Sequence, residues 1–376
     1  MKILLIGEYS NVHNTLSQGL KELGHEVKVL SNGDFWKNYP RDYSLVRKLG
    51  KWGGVTYVAR LLWFLPRLRG YDIVQLINPM FLELKAEHLF PVYRYLRRHN
   101  RRVVLGAFGM DHYWVRTCSN ENSPFRYSDF NIGRQLRTHA EAEMERKDWL
   151  GTAKERLNRM VATDCDAIVA GLYEYWVCYH PVYPNKTYFI PFPIQWQQDE
   201  RPICYYTEGN KLRLFIGISK GRSVYKGTDI MLRAAEAIRE RYSDRVELLV
   251  AHGVPFAQYC QMMEGSDAIL DQLYSYTPAM NALQAMSRGI ICVGGGEPEN
   301  YEILNEAELR PIVNVAPTYE SVYAQLEQLV LHTERIRKMQ EQSVAYIHRH
   351  HDYVKVATQY ESLYHRLLKE GGEVHK

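Results

Sequence analysis

Thr277 and Pro278 stand just before an unbroken run of helix formers that ends at Gly289, in the stretch DQLYSYTPAMNALQAMSRG (271–289). Threonine caps a helix well, and proline suits the first helical position, where its missing N–H costs nothing. Glycine suits the left-handed residue that closes the far end. A helix with such a start, at Met280 and Asn281, offers free N–H groups and the positive end of its dipole, so the chemistry on offer is anion binding. An ordinary capped helix packed on a sheet fits the same residues.

Other groupings invite a chemical reading and lose it. The first strand–helix turn, GEYSNVHN (7–14), lacks the GxGxxG spacing of a dinucleotide cradle. Asp164 and Asp166 form an acidic pair that could hold a metal. They directly precede a buried strand with no further carboxylate in view, and read as structural. The spacing of His348, His350 and His351 does not put all three on one helical face, so a solvated helix end is expected there. No metal site is expected. The six cysteines are scattered without a CxxC pair, which fits a reduced compartment.

The elements that must position these residues alternate. KILLI (Lys2–Ile6), a helical pattern closed by Gly24, and VKVL (Val27–Leu30) make a βαβ unit. IVQLI (73–77), VVLGAF (103–108), AIVAG (167–171) and TYFIP (187–191) continue the series as buried strands. The Pro-rich, polar stretch Pro191–Lys211 then breaks the pattern and reads as an interdomain linker. LRLFIGIS (212–219), VELLVAH (246–252), AILD (268–271), IICVG (290–294) and PIVNVA (311–316) restart it. Two α/β domains with parallel sheets are expected, and the helix after Pro278 follows a strand end, the edge where doubly wound sheets bind ligands.

A chain of 376 residues is long enough for two domains, and 46% hydrophobic with 24% charged residues is globular composition. Between Lys37 and Arg102 there are 14 Lys/Arg against 4 Asp/Glu; with a total of +4, the remainder is net acidic. The basic stretch interleaves Trp63, Phe64 and Tyr95, which suits an anionic membrane surface or the solvated face of packed helices. No nucleic-acid motif accompanies the charge. The apolar run ILLI is too short for a signal peptide, and no stretch approaches ~20 uncharged apolar residues. A cytoplasmic location is expected, with the inner membrane face as a peripheral site.

The ordered set of segments resembles the retaining GT-B glycosyltransferases of glycosyltransferase family 4. LGHEVKVL (23–30), DCDAIVAG (164–171) and FIPFPI (189–194) resemble passages of that family's first domain. GRSVYKGTDIMLRAAEAI (221–238) resembles its donor-phosphate segment, and LQAMSRGIICVGGGEPE (283–299) its donor-binding core. The resemblance implies two Rossmann-like doubly wound domains facing a cleft. The first, 1–195, would be on the acceptor side, braced by a C-terminal helix over 352–376, and the second, 205–351, would bind the donor.

The implied activity is transfer of a sugar from a UDP- or GDP-sugar to a hydroxyl of a glycan or lipid-linked glycan, with retention and without a metal or other cofactor. The leaving diphosphate gains charge in the transition state, and cations with backbone N–H groups stabilise it. Arg222 and Lys226, with the helix start at Met280 and Asn281, take that role; Lys220 competes with Arg222 for it. Gly295 and Gly296, with Gly294, either allow close backbone approach to the ligand or make a plain turn. The family's two glutamates, with seven residues between them, are Tyr276 and Gln284 here, with Thr277 beside the first. Gln284 can bond ribose hydroxyls, whereas Tyr276 supplies no carboxylate. Glu297 either replaces that carboxylate or is a surface residue at a helix start. On the acceptor side, Asp111 and His112 follow a strand, and His112 either positions the acceptor and shares its proton or is a plain loop histidine. His13, in the first strand–helix turn, faces the same edge and is either an acceptor-binding candidate or a plain helix-start residue. A non-catalytic nucleotide-sugar-binding or scaffold protein on the same fold is the alternative.

Overall fold

A computed structural model of the chain describes residues 1–50, 52–195, 202–218 and 221–370. The run KILLI is a strand with Ile3 to Ile6 fully buried. Apolar residues at consecutive positions need cover on both faces, which a parallel sheet between helix layers supplies. Seven parallel strands assemble in the order Tyr43–Ser44, Glu26–Ser31, Lys2–Ile6, Ile73–Leu76, Arg102–Ala107, Ala167–Ala170 and Thr187–Phe189. Leu4 lies between Lys28 and Val74 in register. The order reverses between Lys2–Ile6 and Ile73–Leu76.

A second sheet runs Val246–His252, Leu212–Ile218, Ala268–Leu270, Ile291–Gly294 and Val313–Asn314, all parallel. Its order reverses between Leu212–Ile218 and Ala268–Leu270, and the carboxyl ends of those strands form its switch point. Leu212, Leu214 and Ile216 share a core with Met231, Ala234, Val322 and Leu326, while Phe215 and Ile269 pack with Met263, Ala285 and Ile290. Both faces are therefore buried.

The chain forms two compact units. One holds Met1–Arg116, Arg146–Pro193 and the stretch from Tyr353; the other holds Thr117–Glu145 with Ile194–Asp352. The C-terminal helix Tyr353–Glu370 packs on Val12–Glu22 of the first unit. Gly19 makes room for it, since a Cβ there would lie 2.5 Å from the Tyr353 carbonyl oxygen. Residues 117–145 fall in the first half of the sequence, yet they belong to the second unit. The segment has little regular structure before its helix at Ala140, only the short pair Asn131–Ile132 and Gln135–Leu136, and side chains along it bond to the second unit. No helix of the described residues is long and apolar enough to cross a membrane.

Candidate functional site

In the second unit the helix singled out by Thr277 and Pro278 spans Met280–Met286. Its end is as expected. Gly289 is left-handed at φ +75°, and the N–H groups of Ile290 and Gly289 donate to the carbonyls of Ala285 (3.1 Å) and Met286 (3.0 Å), the paired bonds of a Schellman ending. Its start differs. Ala279 is the cap, no side chain caps it, and Pro278 lies outside the helix. The cause is the preceding loop: Ser275 Oγ donates to the Thr277 carbonyl (2.6 Å), and the Tyr276 carbonyl accepts the Glu297 N–H (3.2 Å). A Cβ on Gly295 would lie 2.3 Å from the Ser275 carbonyl oxygen, and one on Gly296 2.7 Å from Ile312. The close approach that these glycines permit is to the chain's own loop.

A polar cluster occupies the switch point of this sheet. Asp271, just past Ala268–Leu270, is buried; burial raises its pKa, while the positive charge of Lys226 and the Asn281 amide pull it back. Asn281 donates to Asp271 Oδ1 at 3.2 Å and accepts the Tyr259 hydroxyl at 3.1 Å. Lys226 is positioned through its backbone, whose carbonyl accepts the Leu273 N–H at 2.9 Å. Only glycine serves at 227: φ is +73°, and a Cβ would lie 2.5 Å from that of Leu273. Arg222 caps the short helix Ser223–Lys226 and is exposed, its guanidinium 5.0 Å from the Tyr225 ring. Lys220 lies outside the described residues. Met280 is buried, and Gln284 Nε2 donates to Ser287 Oγ at 3.3 Å.

The remaining carboxylate candidate is engaged by residues that the sequence reading did not select. Arg126 donates to Glu297 (2.8 Å) and to both oxygens of Glu299 (2.5 and 3.0 Å), and the Tyr127 hydroxyl also donates to Glu297. The Arg126 N–H donates to the Tyr276 hydroxyl at 2.6 Å, and its guanidinium sits 4.8 Å from that ring. Burial pushes the Tyr276 phenol up to about 12. Glu299 is held below its ordinary pKa, chiefly by Arg126. Arg137 fastens the same segment to the short helix Ser223–Lys226, donating to the carbonyls of Val224 (2.6 Å) and Tyr225 (3.2 Å). The available signal was length: 119–139 is a long stretch rich in aromatic residues and arginine without helical or strand period, and such loops are often functional.

In the first unit, the candidates at the sheet's carboxyl edge are internal. Asp111 caps the helix His112–Cys118, accepting the Trp114 N–H (2.9 Å) and the Tyr179 hydroxyl (2.6 Å), and burial raises its pKa to about 6. His112 is 2% exposed. Neither of its ring nitrogens has a hydrogen-bond partner among the described residues, Glu155 lies 3.7 Å from Nδ1, and burial lowers its pKa. His13 is fully buried: Nδ1 pairs with the Gly7 carbonyl (2.9 Å) and Nε2 with the Gln75 amide (3.3 Å), whose oxygen accepts the Tyr364 hydroxyl (2.7 Å). Burial lowers its pKa to about 3. With both nitrogens spent inside the protein, His13 has none left for an acceptor, which corrects its assignment as an acceptor contact. Its neighbour Glu8, also unselected, accepts the N–H groups of His13 (3.2 Å) and Asn14 (2.8 Å). A carboxyl group thus fills the helix start where a phosphate would otherwise sit.

Asp164 and Asp166 are structural, as read. Asp166 pairs with Arg97 (2.7 Å) and Arg102 (3.0 Å), and Asp164 accepts the Tyr93 hydroxyl (2.8 Å). The histidines near 350 are not simply solvated: His350 bonds Glu306 at 2.6 Å and His351 is buried. Among the described residues no group of three His, Cys, Asp or Glu could hold a metal.

No protein-family model matches the sequence, and no curated protein matches it. Solved structures do match in fold. HepE from Anabaena in complex with UDP-glucose is similar with a TM-score of 0.59 at 11% identity, over 96% of this chain and 99% of that one. Sucrose-phosphate synthase from Thermosynechococcus elongatus gives 0.64 at 10% identity, over 98% and 100%. UDP-GlcNAc 2-epimerase from Neisseria meningitidis bound to UDP-GlcNAc gives 0.54 at 11%, over 96% and 99%. The chain therefore has the GT-B fold of two Rossmann-like α/β domains, a fold these neighbours put to different activities.

Proposed function

We propose that the chain is a glycosyltransferase of the family 4 type, transferring a sugar from a UDP- or GDP-sugar to a hydroxyl of a glycan or lipid-linked glycan. The second unit binds the donor and the first serves the acceptor. The observation that carries this reading is the cluster of Lys226, Asp271 and Asn281 at the switch point of the second sheet. Its cation lies beside a strand end, where open α/β sheets take their ligands. Lys226 and Arg222 stabilise the leaving diphosphate, with Lys220 as a further cation on the same segment. Gln284 bonds the ribose hydroxyls, and the backbone at Thr277, Met280, Gly295 and Gly296 borders the nucleotide. Glu297 takes the carboxylate role that Tyr276 cannot fill. Transfer proceeds with retention, needs no metal, and rests on orientation and charge stabilisation. On the acceptor side His112 and Asp111 shape the site from within, as positioning residues. The protein works in the cytoplasm.

One observation favours a second reading, a nucleotide-sugar-binding scaffold: Glu297 is already engaged by Arg126 and Tyr127. Turnover separates the two. Incubated with a nucleotide-sugar panel, the enzyme releases nucleotide slowly without acceptor and equally well in EDTA. The Arg222→Ala, Lys226→Ala double variant lowers kcat/KM by about a hundredfold or more. Binding of one nucleotide sugar without any release or transfer supports the scaffold instead.

A further inference from the structure

Helix Gly53–Phe64 is apolar on two opposite faces. Tyr57, Leu61 and Phe64 face inward and are buried. At about 100° per residue, Val55, Val58, Leu62 and Trp63 fall together on the far side, and all four are exposed, Trp63 to 60%. Trp52, 75% exposed, and the fully exposed Leu49 extend this stripe ahead of the helix. Of the exposed large hydrophobic side chains among the described residues, those from Phe35 to Trp63 are the one dense run. A helix apolar all round belongs in a core or in lipid, and this one, with 12 residues, is too short to span a bilayer.

Charge identifies the cover. From Leu45 to Tyr71 the sequence contains no Asp or Glu, while Arg47, Lys48, Lys51, Arg60, Arg67 and Arg69 are all basic. The Arg67 guanidinium stacks 3.9 Å from the Trp63 ring, pairing a cation with an interfacial aromatic. Farther along the basic half, Arg97, Arg101 and Arg102 are spent on Asp166 and Asp72, whereas beside the apolar stripe no acidic residue stands between Leu45 and Tyr71 to neutralise Arg47, Lys48, Arg60, Arg67 and Arg69. A second copy of the chain would bring like charge against like. An anionic bilayer offers both what the stripe needs and what the cations need.

We propose that the stripe Leu49–Trp63, with its rim of Arg and Lys, docks in the plane of an anionic lipid surface. The stripe inserts at the headgroup boundary and the cations pair with lipid phosphates. This does not depend on the proposed glycosyl transfer, because lipid binding is measured without any donor. The test is flotation of the full chain with vesicles of phosphatidylcholine containing phosphatidylglycerol, against phosphatidylcholine alone, at rising salt. The chain should float with the anionic vesicles only, and less as salt rises. Arg47→Ser with Lys48→Ser should weaken partitioning about thirty-fold, at ~1 kcal/mol per cation. Leu62→Ser with Trp63→Ser should release the protein while its melting temperature stays unchanged, since both side chains are exposed. Absence of the folded wild type from anionic vesicles overturns the proposal, as does salt-insensitive flotation. Dimerisation through this face, abolished by the Leu62, Trp63 variant, overturns it in favour of a second copy.

Discussion

Arg126 joins Tyr276, Glu297 and Glu299, three residues 150 to 173 positions away in the chain. Its side chain is half exposed, so screening limits what these ion pairs contribute. Arg126→Ala should cost about 1 kcal/mol at neutral pH, read by urea unfolding. Glu299 titrates below its usual 4.5, so its share is present above that pH and fades as acid protonates it; the wild-type advantage should shrink below pH ~4.5. Lys226 could be singled out from sequence by the resemblance of its segment, and Asn281 by the helix start beside it. Arg126 could not, because its partners are distant and its own segment has no period to place it.

The strands were legible because buried parallel strands write themselves as short apolar runs, and Lys2–Ile6 and Val246–His252 keep the bounds expected of them. The start of the helix at Met280 was not, because tertiary bonds at Ser275 and Tyr276 override the local preference of Thr277 and Pro278. Helix packing offers sharper tests. Gly19→Val should cost 1–3 kcal/mol or more, because the obstacle is the backbone of Tyr353 and cannot rotate away. Tyr364→Phe removes the donor to the buried Gln75 oxygen and should cost about 1–3 kcal/mol. In the second unit, Glu306 accepts the N–H groups of Glu308 (2.7 Å) and Leu309 (2.9 Å), and bonds Arg349 (3.1 Å) and His350 (2.6 Å). Burial opposes ionisation there, but these partners hold the carboxyl down to about 2 from 4.5. A depressed carboxyl stabilises above its unfolded pKa and stops doing so as pH falls through its folded one. Glu306→Gln should therefore cost on the order of 3 kcal/mol at pH 7, a difference lost between pH ~4.5 and ~2 in acid unfolding.

At the scale of the molecule, each unit carries its own sheet and its own buried core, so each is its own unfolding unit to a first approximation. Under the proposed function the donor is bound mainly by the second unit, and in scanning calorimetry a bound nucleotide sugar should raise one transition more than the other. The two-unit α/β plan was legible in the restart of the strand pattern after Pro191–Lys211; the passage of 117–145 into the second unit was not, since bonds such as Arg137 to Val224 carry no local sequence mark. The most direct measurement is the thermal stability of the full chain across a panel of nucleotide sugars and their nucleotides. One nucleotide sugar should stabilise the wild type by ~2.7 kcal/mol at a hundredfold excess over its dissociation constant, and Lys226→Ala should lose the shift. A well-folded wild type unmoved by the whole panel, or a Lys226→Ala variant stabilised as fully as the wild type, would contradict the account.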